Sequence, residues 1–174
     1  MQAYGAGDGK AFEILYGRYR LRLYRFLQRM LRSSEADEVF QEVWLAIVKG
    51  RARYVPTARF ATFLFSIAHN CAAEKLRSRG RSLIADTPLD EADEPAADHG
   101  SEPLNITLNA ELGKALENAL ALLPLPQREA FLMQAEGELS LDEIAEVSGV
   151  ARETVKSRLR YANRRLRHSL EMWK

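Results

Sequence analysis

Apolar residues recur at helical spacing along most of this chain. Phe12, Leu15, Tyr16, Tyr19, Leu23, Phe26 and Met30 predict a first long helix. Ser33 and Ser34 supply a cap, after which Val39, Phe40, Val43, Trp44, Ile47 and Val48 predict a second helix ending near Gly50. A loop over 51–59 contains Pro56. A third helix follows through Phe60, Phe63, Leu64, Ile67, Cys71 and Leu76, ending in the basic run KLRSRGR at 75–81. The pattern then stops: residues 82–105 hold three prolines and no basic group, the composition of a flexible linker. Helical spacing resumes with Leu112, Leu116, Leu120 and Leu123, is broken by PLP at 124–126, and continues through QREAFLMQAEG. No strand pair and no internal repeat is evident. The expected fold is all-α, with two small helical domains at 8–81 and 109–172 joined by an acidic linker at 82–108.

The stretch LSLDEIAEVSGVARETVKSRLRYA at 139–162 carries the most specific local chemistry. Ser140 followed three residues later by Glu143 is a capping box, in which hydroxyl and carboxylate satisfy open amides at a helix start. Ile144, Ala145 and Val147 form that helix's buried face. Gly149 stands where a sharp turn calls for positive φ. Val155, Leu159, Ala162 and Leu166 then make one apolar stripe on a second helix, leaving a basic face outside. This is the pattern of a helix-turn-helix whose second helix enters the major groove of DNA. Arg152, Glu153, Thr154, Lys156, Ser157 and Arg160 are candidates for base edges or nearby phosphates, and Arg158, Arg164, Arg165 and Arg167 for phosphates, which set affinity and salt dependence. Ala151 occupies the N-cap where serine or threonine is preferred. A helical hairpin with a merely solvated basic face would share the pattern.

Charge sharpens the picture. The formal net charge of +1 conceals 15 basic and 6 acidic residues over 10–81, 7 acidic and none basic over 82–108, 2 basic and 8 acidic over 109–150, and 8 basic and 2 acidic over 151–174. Two separated basic blocks point to two nucleic-acid contacts. Cys71 is the only cysteine, which excludes an intrachain disulfide and a thiolate zinc cluster. His69, His99 and His168 are scattered, so neither a cofactor, a metal site nor a catalytic triad is expected. Without an apolar run near the roughly 18 residues that span a bilayer, or a signal-peptide core at the N-terminus, a cytoplasmic protein is expected.

The segments ADEVFQEVWLAIV (36–48), FATFLFSIAHNCAAEKLRSRGR (60–81) and LPLPQREAFLMQAEGELSLDEIAEVSGVARETVKSRL (123–159) resemble bacterial sigma factors of the sigma-70 family. The resemblance is to the extracytoplasmic-function group, which keeps regions 2 and 4 only. It implies stress-responsive transcription initiation, without an enzymatic reaction or small-molecule substrate of the chain's own. The implied partners are core RNA polymerase (the clamp of the largest subunit and the flap of the second-largest), promoter DNA and an anti-sigma factor. Asp37, Glu38, Gln41, Glu42 and Trp44 match the clamp-docking motif, with Glu38 replacing the more usual aspartate. Arg59, Thr62, Phe63, Phe65, Ser66, His69 and Asn70 match the element that recognises and opens the −10 sequence, with Lys75, Arg77, Arg79 and Arg81 on duplex phosphates. Phe63 and Ser66 stand where the group often has tryptophan and arginine, and each of these aromatics serves equally well as core. The linker would thread toward the RNA exit channel or act as an inert spacer. Two other readings stay open at this stage: a regulator using only the C-terminal motif, and an interaction protein without specific DNA binding.

Overall fold

Asp8 starts the first long helix. Its carboxylate accepts hydrogen bonds from the amides of Lys10 (2.9 Å) and Ala11 (3.4 Å), donors that a helix start otherwise leaves open. The computed structural model describes residues 1–85 and 105–171. The elements are α1 (Gln2–Gly5), α2 (Gly9–Met30), α3 (Ser33–Gly50), a single 3₁₀ turn (Arg51–Arg53) and α4 (Phe60–Ala85), then α5 (Asn105–Ala121), α6 (Leu125–Ala135), α7 (Leu141–Ser148) and α8 (Arg152–Ser169). There is no strand among the described residues, in keeping with the all-α expectation. Helix α1 was not predicted. Its Tyr4 is buried against Phe12, at 5.1 Å between ring centroids, and lies under the Arg51 guanidinium. The cap expected at Ser33 or Ser34 also differs: Arg32 is the N-cap of α3, and the Glu35 carboxylate reaches back to accept its amide at 3.2 Å. The backbone of α4 and of α5 enters the expected linker from its two sides; the remainder of that segment, and the side chain of Arg81, lie outside the described residues.

Helices α2, α3 and α4 pack around Leu23, Phe26, Leu27, Val39, Val43, Ile47, Leu64 and Phe65, all completely buried. Helices α5 to α8 enclose a second group formed by Leu120, Leu132, Met133, Ile144, Val155 and Ala162. The two groups are continuous, because α2 lies against α5 and α6, and α4 against α7. Gly137 lies at this junction: a Cβ there would stand 2.6 Å from the Met133 carbonyl oxygen of its own region and 3.3 Å from the Phe65 ring of the other. Phe65 in turn meets Phe26 edge to face at 5.3 Å, the arrangement that aromatic quadrupoles favour. Phe26 therefore anchors the three-helix core and, through Phe65, the junction with the C-terminal helices. Phe26→Ala should lower unfolding stability by about 3–5 kcal/mol, read as a shifted midpoint in denaturant titration.

Candidate nucleic-acid and polymerase interfaces

The helix-turn-helix forms as its residues require. Ser140 Oγ accepts the Glu143 amide (3.3 Å) while Glu143 Oε2 accepts the Ser140 amide (2.8 Å), closing the capping box. Gly149 ends α7 in the left-handed conformation, φ 64° and ψ 33°. Val155, Leu159, Ala162 and Leu166 are buried against α5, α6 and α7, which turns the basic side of α8 to solvent. Arg152, Glu153, Thr154, Lys156, Arg160 and Arg164 are exposed; Ser157 and Arg158 are half-buried. Arg152 pairs with Asp142 at 3.0 Å, and Lys156 with Glu153 at 3.5 Å. Exposed pairs of this kind contribute little to stability.

On α3, Asp37, Glu38, Gln41 and Glu42 form one exposed polar face, continued by Leu45 at 50% exposure. Tyr24 Oη donates to Asp37 at 2.8 Å, and this hydrogen bond holds the tyrosine above its ordinary pKa. Trp44 departs from its expected place. It is 6% exposed and packs on Tyr16 (4.9 Å), Phe12 (5.8 Å) and Phe40 (6.3 Å), so in this arrangement it braces the face from behind.

The residues expected at the −10 element divide into groups. Phe63 is half-buried and pairs with Tyr54 at 5.0 Å; together with Val55, Thr57, Ala58, Thr62 and Ser66 they line a cavity of about 240 Å³ closed by Glu146 and Val147 of α7. Asn70 and Arg77 are exposed, Arg77 Nε donating to the Ala73 carbonyl at 3.2 Å. Phe65 corrects its expectation, being wholly interior beside Phe26 and Gly137. Lys75 and Arg79 turn back onto α3, Lys75 to Glu38 and Arg79 to Glu35 at 3.4 Å; the Glu38 hydrogen bond raises the Lys75 pKa. Arg59, Thr62 and His69 face the C-terminal helices. Arg59 donates to Glu143 (3.2 Å) and to the Glu138 carbonyl (3.3 Å), Thr62 Oγ1 donates to Glu143 (2.6 Å), and His69 Nδ1 meets the Glu129 carboxylate. No group of side chains placed to hold a metal ion is present among the described residues.

Comparison with known proteins matches residues 15–82 to Sigma-70 region 2 and residues 113–166 to Sigma-70, region 4. The chain is similar to the RNA polymerase sigma factor CarQ of Myxococcus xanthus, at 30% identity over 98% of this chain and 95% of the relative. It is also similar to the ECF RNA polymerase sigma factor SigM of Mycobacterium tuberculosis, at 32% identity over 95% of this chain and 80% of the relative. The chain belongs to the extracytoplasmic-function group of the sigma-70 family. Its fold matches the sigma factor RpoE solved in complex with the anti-sigma factor NepR from Bartonella quintana, with TM-score 0.75 and 22% identity over 93% of this chain and 98% of that one. It also matches CnrH solved with the cytosolic domain of CnrY, with TM-score 0.64 and 20% identity over 97% of this chain and 92% of that one.

Within this sigma factor, sequence reasoning passed over several residues. Tyr161 is 40% exposed on the outer side of α8, with Arg160 and Arg164 over its ring at 5.3 and 4.9 Å in cation–π geometry. Its position off the 155/159/162/166 stripe was the available signal, as it was for Leu45 on α3. Of the region 4 carboxylates that face region 2, only Glu143 carried a local signal, its place in the capping box, and that signal did not point to region 2.

Glu143 joins the two regions and titrates accordingly. Burial pushes its pKa up, but hydrogen bonds from Thr62 and Ser140 and the nearby Arg59 charge outweigh this, leaving it below the ordinary 4.5. A carboxyl depressed on folding stabilises the fold above its unfolded pKa and loses that contribution as pH falls through the folded one. Acidification below about pH 4.5 should therefore weaken the α4–α7 junction, and Glu143→Gln, which preserves the capping box, should flatten that part of the stability–pH curve in thermal melts.

Proposed function

We propose that this sigma factor, a subunit directing promoter-specific initiation by core RNA polymerase, divides its work among three surfaces. The exposed face of α3, with Asp37, Glu38, Gln41 and Glu42, docks on the clamp of the largest polymerase subunit. The 51–59 loop and the start of α4 hold the opened −10 strand, with Arg59, Thr62, Phe63, Ser66, His69 and Asn70 toward bases and Arg77 toward phosphate. Unstacking costs a few kcal/mol per step, and a cavity lined by Tyr54 and Phe63 offers an aromatic platform against which an extruded base regains stacking. Region 4 sits on the polymerase flap and reads the −35 element in duplex form through α8.

The observation that carries this reading is the outward basic face of α8, presented by a capped helix and a left-handed Gly149 turn. Each bidentate base contact from that face is worth about 1–3 kcal/mol of discrimination. Bond formation belongs to the polymerase; this chain supplies recognition. No described helix is long and apolar enough to cross a membrane, and the chain works in the cytoplasm beside the polymerase. A protein of the same fold, the sigma factor RpoE from Bartonella quintana, is solved with the anti-sigma factor NepR, and we extend that class of partner to this chain.

Replacing Arg152 and Lys156 together with alanine should abolish −35-dependent run-off transcription while leaving core binding intact; equal loss of both would remove α8 from the role of reader. Reversing Asp37 and Glu42 to lysine should weaken core binding at least tenfold in a competition assay, and unchanged affinity would take the α3 face out of the interface.

A further inference from the structure

Helix α1 stands ahead of region 2 in the chain. It has four residues, and so short a helix does not persist by itself, because its few hydrogen bonds do not offset the cost of nucleation. Its order therefore comes from what it packs against. Tyr4 supplies that packing: it is 7% exposed, with Phe12 at 5.1 Å and the Arg51 guanidinium over its ring at 5.5 Å. Arg51 Nη1 also donates to the Tyr4 hydroxyl at 3.5 Å. The backbones meet at the next residue. A Cβ on Gly5 would stand 2.9 Å from the Arg51 carbonyl oxygen, so this close approach calls for glycine. Asp8 fastens the segment to α2: its amide donates to the Ala3 carbonyl at 3.0 Å while its carboxylate caps the longer helix.

What α1 covers is the 3₁₀ turn Arg51–Arg53, where α3 stops and the loop toward α4 begins. Tyr54 follows that turn directly, with its ring 5.0 Å from Phe63, and Val55 after it is 68% exposed; both line the cavity of about 240 Å³. Within 54–59 a single backbone hydrogen bond forms, from Thr57 to the Val55 carbonyl at 2.9 Å. A loop so lightly tied takes its position from its two ends, α4 on one side and the turn beneath α1 on the other.

We propose that α1 is a positioning element for the −10 strand: Tyr4 and Gly5 hold the Arg51–Arg53 turn and, through it, set Tyr54 and Val55 where the extruded base arrives. The proposal rests on the reading of the 51–59 loop as the holder of that strand. Tyr4 acts through Arg51 and not by touching DNA. Stacking needs a ring already in place, and a loop ordered before the strand arrives spares the binding step that ordering cost. The aromatic ring, which Arg51 and Phe12 both contact, carries the effect, so phenylalanine serves at position 4 and alanine does not.

The test uses the full chain with core polymerase, as wild type, Tyr4→Ala, Tyr4→Phe and Gly5→Ala, with Phe63→Ala as the control for the loop, each checked for helicity by circular dichroism. Open-complex formation is timed on two promoters that differ at one −10 base, chosen from starts mapped with this chain. The ratio of the two rates does not depend on how much holoenzyme forms, so a change in core affinity leaves it unmoved. Tyr4→Ala should shrink the ratio by about fivefold, the lower end of what one base–aromatic stack contributes. Gly5→Ala should move it the same way, and Tyr4→Phe should restore it. Amide hydrogen exchange over 51–59 in the free chain should quicken in Tyr4→Ala and Gly5→Ala. Wild-type ratios or unchanged exchange in both variants, while Phe63→Ala loses the preference, would overturn the role of α1 alone. A wild-type ratio in Phe63→Ala would overturn the reading of the loop and the positioning role with it. If Tyr4→Ala loses helicity, Gly5→Ala decides.

Discussion

A carboxylate shut away from water destabilises a fold unless cations meet it, and at Glu136 the guanidiniums of Arg25 and Arg29 do so from α2. That requirement fixes where the end of α6 can lie. With α6 held there, Gly137 comes against Phe65, the turn through Glu138 reaches Arg22 and Arg59, and the start of α7 settles on Thr62. Arg128 reinforces the same geometry from inside. Its guanidinium donates to the Ala121 and Leu123 carbonyls at the end of α5 as well as to Arg29, and its burial lowers its pKa.

The consequence is a division between occupied and available surfaces. The helix-turn-helix buries its apolar stripe inside region 4, so α8 presents the same basic face whether or not the regions touch. The α3 face is likewise built within region 2, with Trp44, Tyr16 and Phe40 behind it. The surface proposed for the −10 element is different: part of it, the Tyr54–Phe63 pair and the neighbouring cavity, belongs to region 2, and part is completed by Glu146 and Val147 from region 4. A single physical arrangement thus treats the three interfaces unequally.

How much of this was legible in the sequence follows from the range of the interactions. The capping box, the Gly149 turn and the α8 stripe act over a few residues and could be read directly. The helix positions of regions 2 and 4 followed from apolar spacing. Spacing put Trp44 on the apolar stripe of α3, and only the family resemblance assigned it to the clamp contact; Phe65 was missing from the apolar pattern read for α4, and its aromatic character suits core and contact alike. Spacing could not assign Lys75 and Arg79, whose partners Glu38 and Glu35 lie 37 and 44 residues away. The pairs between regions are more remote still, 107 and 111 residues apart for Arg29 and Arg25 with Glu136. Charge blocks showed that region 2 is basic and the start of region 4 acidic; only the fold shows that the two signs meet.

The most direct test of the central claim, that this chain selects promoters through two separate elements as a polymerase subunit, is run-off transcription from a genomic fragment library with bacterial core polymerase, with and without the purified chain, followed by sequencing of the RNA 5′ ends. The account predicts discrete new starts that share two upstream sequence elements and vanish without the chain. An absence of new starts, accompanied by footprints that the chain makes on DNA without polymerase, would contradict it.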